Sequence, residues 1–241
     1  MAVDALTKRF GKGKAERTVL DAVSLRVEPG ELVAIVGPSG CGKSTLLGIL
    51  GGLDRAFEGE VRLFGRDVRA LSDGALSALR GRRIGFVFQA FHLLPHLTAL
   101  DNVLAPSLFR KVPDGRAGEA RLRARAERLL ADVGLPGRGS DVPAACSGGE
   151  RQRIAVARAL LLEPELLLCD EPSGNLDVET GGQIIDIFAA LHRDTGLTVV
   201  VVTHDEALAA RAGRVLGLRR GRLEPRPGAS AATPDERRAE A

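Results

Sequence analysis

The 241-residue chain has no tryptophan, no tyrosine, one methionine and three cysteines. Without an interleaved run of aromatics it offers no platform on which nucleic-acid bases would stack. Its formal net charge of +3 is too small to argue by itself for a polyanionic partner. Nucleic acid is therefore not an expected partner. Cys41, Cys146 and Cys169 stand alone, with no Cys-x-x-Cys spacing and an odd count, so no disulfide framework is expected and the thiols read as reduced. His92 and His96 are four residues apart, but Pro95 lies between them and no cysteine or acid pair is near, which argues against zinc. The longest apolar stretches, such as Leu197 to Val202 and Leu166 to Cys169, fall far short of the roughly 20 residues needed to cross a bilayer. The first residues lack a basic segment followed by an apolar stretch of signal-peptide length. A cytoplasmic chain without a membrane span is the expectation, and no internal repeat is evident.

What is present is the composition of an ordinary globular protein, 44% hydrophobic and 27% charged. The length allows one substantial core with a smaller lobe beside it. Glu31 to Val36 is a run of β-formers ending in a glycine-rich turn, and Lys43 to Leu50 then reads as a helix. Ile84 to Phe88, Leu166 to Cys169 and Thr198 to Val202 are further short apolar runs, as expected of parallel strands covered on both faces. These elements imply an α/β fold with a doubly wound, mainly parallel sheet. Ala22 to Val27 and Glu60 to Phe64 alternate and suggest a small antiparallel β-layer. From Gly118 to Val133, Leu122, Ala126, Leu129, Leu130 and Val133 share one helical face. That helix falls within a stretch, residues 90–160, that lacks strand signals and reads as an inserted helical subdomain. Its arginines 121, 123, 125 and 128 make the outer face basic, read as a solvated face in preference to a lipid or nucleic-acid contact. Residues 1–225 then form one unit, and 226–241, rich in Pro, Gly, Ala and charge, read as a disordered tail.

Gly37-Pro-Ser-Gly-Cys-Gly-Lys-Ser44 fits G-x-x-x-x-G-K-[ST] and lies between a strand and a helix, where the mechanism of that motif requires it. Gly37, Gly40 and Gly42 let the backbone curl so that N–H groups converge, and the helix start adds its partial positive charge. Pro38, Ser39, Cys41 and Thr45 complete the candidate phosphate-binding stretch. Lys43 has the reach for β- and γ-phosphates, and the Ser44 hydroxyl suits Mg²⁺. The motif alone indicates a P-loop nucleotide-binding protein, which could equally be a kinase, a GTPase or a motor. Leu166-Leu-Leu-Cys-Asp170-Glu171 is an apolar strand ending in two carboxylates at the sheet edge where open α/β folds bind ligands. Asp170 is placed to hold Mg²⁺ and Glu171 to orient or deprotonate water, although Asp-Glu-Pro is also good turn chemistry.

Cys146-Ser-Gly-Gly-Glu150-Arg-Gln-Arg-Ile-Ala-Val-Ala-Arg-Ala-Leu160 resembles the signature sequence of ABC ATPases and its following helix. Ser147, Gly148 and Gly149 would open a helix whose free N–H groups form a second anion site. The resemblance implies that two subunits pair head to tail, each ATP held between one P-loop and the partner's signature. Cys146 replaces the family's usual leucine and Glu150 stands where many members have glutamine. The resemblance further implies that Gln89 is the Q-loop glutamine, sensing Mg²⁺ and the attacking water, and that His204 is the switch histidine facing the γ-phosphate. It makes Gly174 to Asp177 the D-loop and Phe10 the aromatic that stacks on adenine, against the alternative that Phe10 is a core residue. Further segments, among them Gly51 to Asp54, Ile84 to Gln89, His92 to Pro95 and Leu97 to Val103, are similar to the lipoprotein-release and macrolide-export branch. That implies an ATPase peripheral to the cytoplasmic face of a membrane, using ATP and Mg²⁺ and driving integral permease subunits. The competing class is a nontransport ABC ATPase in assembly, DNA or ribosome work. A single cassette without a long insertion argues against the chromosome and ribosomal types.

Overall fold

The computed structural model describes residues 1–110 and 113–226. The chain opens with two long strands, β1 (Ala2–Phe10) and β2 (Arg17–Arg26), followed by β3 (Leu32–Val36), helix α1 (Lys43–Leu50), β4 (Glu58–Leu63), the short β5 (Arg66–Asp67), α2 (Asp73–Arg83) and β6 (Ile84–Val87). Between β6 and the next strand the described residues carry only α3 (Ala99–Leu104), α4 (Gly115–Asp132), α5 (Gly148–Leu160) and short 3-10 turns. Then come β7 (Leu166–Asp170), α6 (Val178–Thr195), β8 (Thr198–Thr203), α7 (Glu206–Ala209) and the hairpin β9 (Arg214–Arg219) and β10 (Arg222–Pro225).

The central sheet has the order β10-β9-β3-β8-β7-β6, parallel except for the edge strand β10. Its inner strands β3, β8 and β7 are apolar without alternation because both faces are covered. Leu32, Ala34 and Val36 of β3, Val199 and Val201 of β8, and Leu167 and Cys169 of β7 point into a core shared with α3 to α6. The intervening Val33, Ile35, Val200, Val202, Leu166 and Leu168 point into a second core with α1 and the antiparallel sheet β2-β1-β4-β5. Period two thus assigns one strand's residues to two cores. Leu46, Leu47, Ile49 and Leu50 of α1 are buried between the two sheets, and burying each such side chain stabilises by about 1.5–3 kcal/mol. That packing makes α1 a rigid base for whatever binds at its N-terminus.

The antiparallel layer and the helical stretch agree with the sequence reading, with α4 beginning at Gly115 instead of Gly118. Its outer face is solvated as expected at Arg121, Arg123 and Arg128, which are exposed. Arg121 pairs with Asp114, Arg123 with Glu127, and Arg125 pairs with Glu163 while donating to the carbonyls of Leu160 and Leu161. Arg125 is half-buried and braces α4 against the end of α5, so the solvated-face reading fails for it. The expected tail begins at Arg226, which is ordered and pairs with Glu206; residues 227–241 lie outside the described residues. No described helix is long and apolar enough to cross a membrane.

Candidate active site

The P-loop leaves the end of β3 and turns into α1. Gly42 sits just before the helix at φ +107, a conformation that disfavours L side chains, and a Cβ there would lie 3.0 Å from Val19 Cγ1 and 3.1 Å from the Val19 carbonyl oxygen. Only glycine fits. Lys43, Ser44 and Thr45 follow as the first helical residues, whose N–H groups have no intrahelical acceptor and carry the positive end of the helix. The buried Lys43 ammonium donates to the carbonyls of Gly37 (2.8 Å) and Pro38 (3.2 Å) and lies 3.1 Å from Glu171 Oε1. Around this cradle, Cys41 N–H donates to the Pro38 carbonyl, Ser39 and Gly40 are exposed, and the Cys41 side chain packs partly into the core beside Gly37.

Neighbouring strands bring the acids to this loop. Asp170 ends β7 and accepts a 3.0 Å hydrogen bond from Ser44 Oγ. Burial pushes its carboxyl above the ordinary range and the Glu171 charge adds to this, opposed by the Ser44 hydrogen bond and the Lys43 charge. Glu171 follows at φ +46, a strained position for a non-glycine residue, anchored by its own N–H to the Val202 carbonyl at 2.9 Å. Its second oxygen accepts from the His204 backbone N–H at 3.1 Å and lies 2.8 Å from His204 Nδ1. The His204 ring is otherwise exposed. Two contact sets, Ser44 with Asp170 and Lys43 with Glu171 and His204, therefore lie side by side at the carboxyl ends of β3, β7 and β8, joined through the chain neighbours Lys43 and Ser44 and the chain neighbours Asp170 and Glu171.

Gln89, just beyond β6, stands beside this group without joining it. Its Nε2 donates to Asn175 Oδ1 at 3.1 Å, and Asn175 Nδ2 donates back to the Gln89 carbonyl at 3.0 Å. Phe10 ends β1, and its ring is 48% exposed with the Lys8 ammonium 4.7 Å from its centroid. The core-residue alternative for Phe10 is thereby excluded. β1 pairs with β2, and β2 carries the Val19 that touches Gly42. Lys8, itself buried, is held by Asp54 at 2.7 Å and the Ala56 carbonyl at 2.6 Å.

The signature is a separate surface. Ser147 caps α5, its Oγ accepting from Glu150 N–H at 3.2 Å while its own N–H donates to Glu150 Oε2 at 2.8 Å. This reciprocal box consumes the Ser147 N–H, which the sequence reading counted as a free donor, and leaves the first-turn N–H groups of Gly148 and Gly149. Gly149 is buried against the start of α6, where a Cβ would collide with Thr180 Cγ2. The two departures from the family pattern are accommodated. Cys146 packs partly into the core with Sγ 3.5 Å from the Val142 carbonyl, and Glu150, held below the ordinary carboxylate range chiefly by the Ser147 N–H, also pairs with Arg138 at 3.3 Å. Among the described residues no hydrogen bond or ion pair joins the P-loop to the signature. A large groove of about 930 Å³, lined by Val27, Leu63, Arg83, Glu165 and Leu197, lies at the opposite ends of the central strands. The P-loop and His204 face a smaller concavity of about 480 Å³, and the chemistry of the side chains outweighs size in locating the site.

Residues 20–174 match the ABC transporter family. The chain belongs to that family. Over 218 residues this ABC ATPase is 49% identical to the lipoprotein-releasing system ATP-binding protein LolD of Geobacter metallireducens, covering 90% of this chain and 95% of that one. It is 48% identical over 216 residues to the macrolide export ATP-binding/permease protein MacB of Rhodopseudomonas palustris, covering 90% of this chain but 32% of that longer protein. Among solved structures, the dimeric post-hydrolysis state of the ATP-binding cassette MJ0796 bound to ADP and Pi superposes with a TM-score of 0.85 at 41% identity, over 92% of this chain and 96% of that one. The ABC ATPase fold, ATP as ligand and ATP hydrolysis as activity follow from this membership. Arg138 and Lys8 are site neighbours that motif reading did not single out, since each supports a motif residue and carries no motif of its own, and Asn175 fell within the expected D-loop without its contact to Gln89 being foreseen.

Proposed function

We propose that the chain binds and hydrolyses Mg-ATP as one of two head-to-tail subunits, and that their closure drives a membrane permease of the lipoprotein-release or macrolide-export kind. The observation that carries this reading is the group Lys43, Ser44, Asp170, Glu171 and His204 at one sheet edge, with a second, unconnected anion surface at Gly148 and Gly149. Two phosphate surfaces that do not meet within one chain are complementary between two chains.

In this reading the P-loop from Gly37 to Thr45 cradles the phosphates and Lys43 neutralises the outer ones. Phe10 offers its exposed ring to the adenine. The Ser44 hydroxyl and Asp170 carboxylate, in contact at 3.0 Å, are the hard oxygen donors that suit Mg²⁺ and would hold it. Bound there, Mg²⁺ supplies positive charge to the phosphate oxygens. Glu171 accepts the proton of the water that attacks the γ-phosphorus as the bond to the ADP oxygen breaks. His204, oriented by Glu171, faces the γ-phosphate. Gln89, which donates to Asn175, would contribute its amide to holding the metal and orienting the attacking water. Ser147 holds the partner-facing helix end so that Gly148 and Gly149 donate to the other subunit's nucleotide. Residues 1–225 act as one ATPase unit, with 90–160 as the helical part that carries the signature, docked on the cytoplasmic face of the membrane.

The test is affinity capture of the Glu171→Gln variant with Mg-ATP from detergent-solubilised native membranes, with mass spectrometry of what co-purifies. Recovery of a permease with a large extracytoplasmic domain is expected. Recovery of soluble or nucleic-acid-bound partners alone would overturn the transport reading in favour of a nontransport ABC ATPase.

A further inference from the structure

Directly after Gln89 and Ala90 the backbone passes through two consecutive left-handed residues that are not glycine, Phe91 at φ +57 and His92 at φ +48. Such residues are disfavoured by sterics and persist where their surroundings impose them. Here the imposition comes from α5, the helix that begins at the signature. Arg158 Nη2 donates to the Phe91 carbonyl at 2.6 Å and Nη1 to the His92 carbonyl at 2.5 Å, a planar fork matched to two adjacent acceptors. Burial holds this guanidinium below its ordinary pKa, and among the described residues both of its side-chain hydrogen bonds go to the turn. Arg151, seven residues earlier and so on the same helix face, sets its guanidinium 5.4 Å from the centroid of the Phe91 ring. The Phe88 and His92 rings meet edge to face across the turn at 5.2 Å. Upstream of the turn, the Gln89 side chain rests on Asn175, in the loop that follows Glu171.

We propose that Arg158 is a positioning residue that ties the signature helix of a subunit to Gln89 of the same subunit, so that engagement of the signature by the partner's nucleotide sets where the Gln89 amide lies. This rests on the proposed ATPase reading of the site. Moving α5 moves the Phe91 and His92 carbonyls with it, and the strained turn transmits that displacement because it has no slack. Gln89 is then held on Asn175 in one position of α5 and delivered to the Ser44 and Asp170 group in another. A signature that has found its nucleotide thereby reports to the hydrolytic site of its own chain.

Arg158→Gln and Arg158→Lys, each alone and combined with Gln89→Ala, test the link through steady-state ATP hydrolysis, nucleotide affinity and thermal unfolding. Expected is a loss of at least about tenfold in kcat for Arg158→Gln with little change in nucleotide affinity. Arg158→Lys, which can serve one carbonyl but not both, should recover part of the loss. In the Gln89→Ala background neither Arg158 substitution should lower kcat further, because the residue through which Arg158 acts is gone. Full additivity of the two losses would overturn the proposal, as would a loss in nucleotide affinity and stability with kcat intact. Should the Arg158 variants not fold, Arg151→Ala carries the same cycle with a smaller loss, and additivity there overturns it equally. Absence of hydrolysis by the wild-type chain would instead reject the reading of the site itself.

Discussion

The P-loop lysine is engaged by the residue proposed to activate water. Lys43 Nζ lies 3.1 Å from Glu171 Oε1, and the two side chains are 6% and 11% exposed. At that separation and an effective dielectric of about 20, the gross attraction is on the order of 5 kcal/mol. Desolvation of both groups offsets most of it, which leaves about 1–2 kcal/mol that nucleotide must displace to reach Lys43. Glu171→Gln removes the competing charge but keeps an oxygen able to accept from the His204 N–H. Nucleotide should therefore bind about 5- to 30-fold more tightly to the variant, while turnover falls by about 100-fold or more through loss of the base. The affinity is best measured by calorimetric titration in a Gly148→Asp background, where the second anion surface is blocked and dimer closure cannot contribute. Unchanged or weaker binding would refute the idea that Glu171 restrains Lys43. Unchanged hydrolysis in the single variant would refute its catalytic role.

Three further outcomes follow from the same geometry. Gly149→Ala places a methyl group against Thr180 and should cost about 1–3 kcal/mol of stability, seen as a lower midpoint in urea, whereas Gly148→Ala, with its nearest neighbour 3.6 Å away, should cost little. Glu150 is held below its ordinary pKa of 4.5, so the stability it contributes is present above pH 4.5 and is lost as pH falls through the depressed value; the difference in urea midpoint between wild type and Glu150→Gln should shrink on acidification below that point, and a constant difference would contradict the capping account. Phe10→Ala should weaken ATP binding by about 1 kcal/mol with kcat preserved, and equal loss for tripolyphosphate, which has no base, would contradict stacking.

The sequence made the centre of this fold legible because β3, β7 and β8 lie between two cores and must be apolar on both faces, which reads as unbroken hydrophobic runs. β1 escaped because Ala5 sits at φ +46 and the pairing register slips between Val3 and Leu6 and again before Lys8, so period-two alternation never develops. The β9 and β10 hairpin escaped for a different reason. Its turn is Arg220-Gly221, both at positive φ, where asparagine or aspartate would have signalled the same backbone. Within the site, Ser44, Asp170 and Glu171 were legible because motif spacing carries them to one sheet edge, and His204 through the family resemblance. The Ser147–Glu150 pair follows the local Ser-x-x-Glu capping pattern and could have been read from it, whereas the pairing of Gln89 with Asn175 joins two loops 86 residues apart and no local pattern records it.

The central claim is that each ATP is closed between one chain's P-loop and the other's signature. Analytical ultracentrifugation of Glu171→Gln with Mg-ATP tests it most directly, alongside the same variant carrying Gly148→Asp. The account predicts a species of twice the chain's mass for the first and the single-chain mass for the second, with nucleotide bound in both. A dimer that persists without nucleotide or survives Gly148→Asp would contradict it.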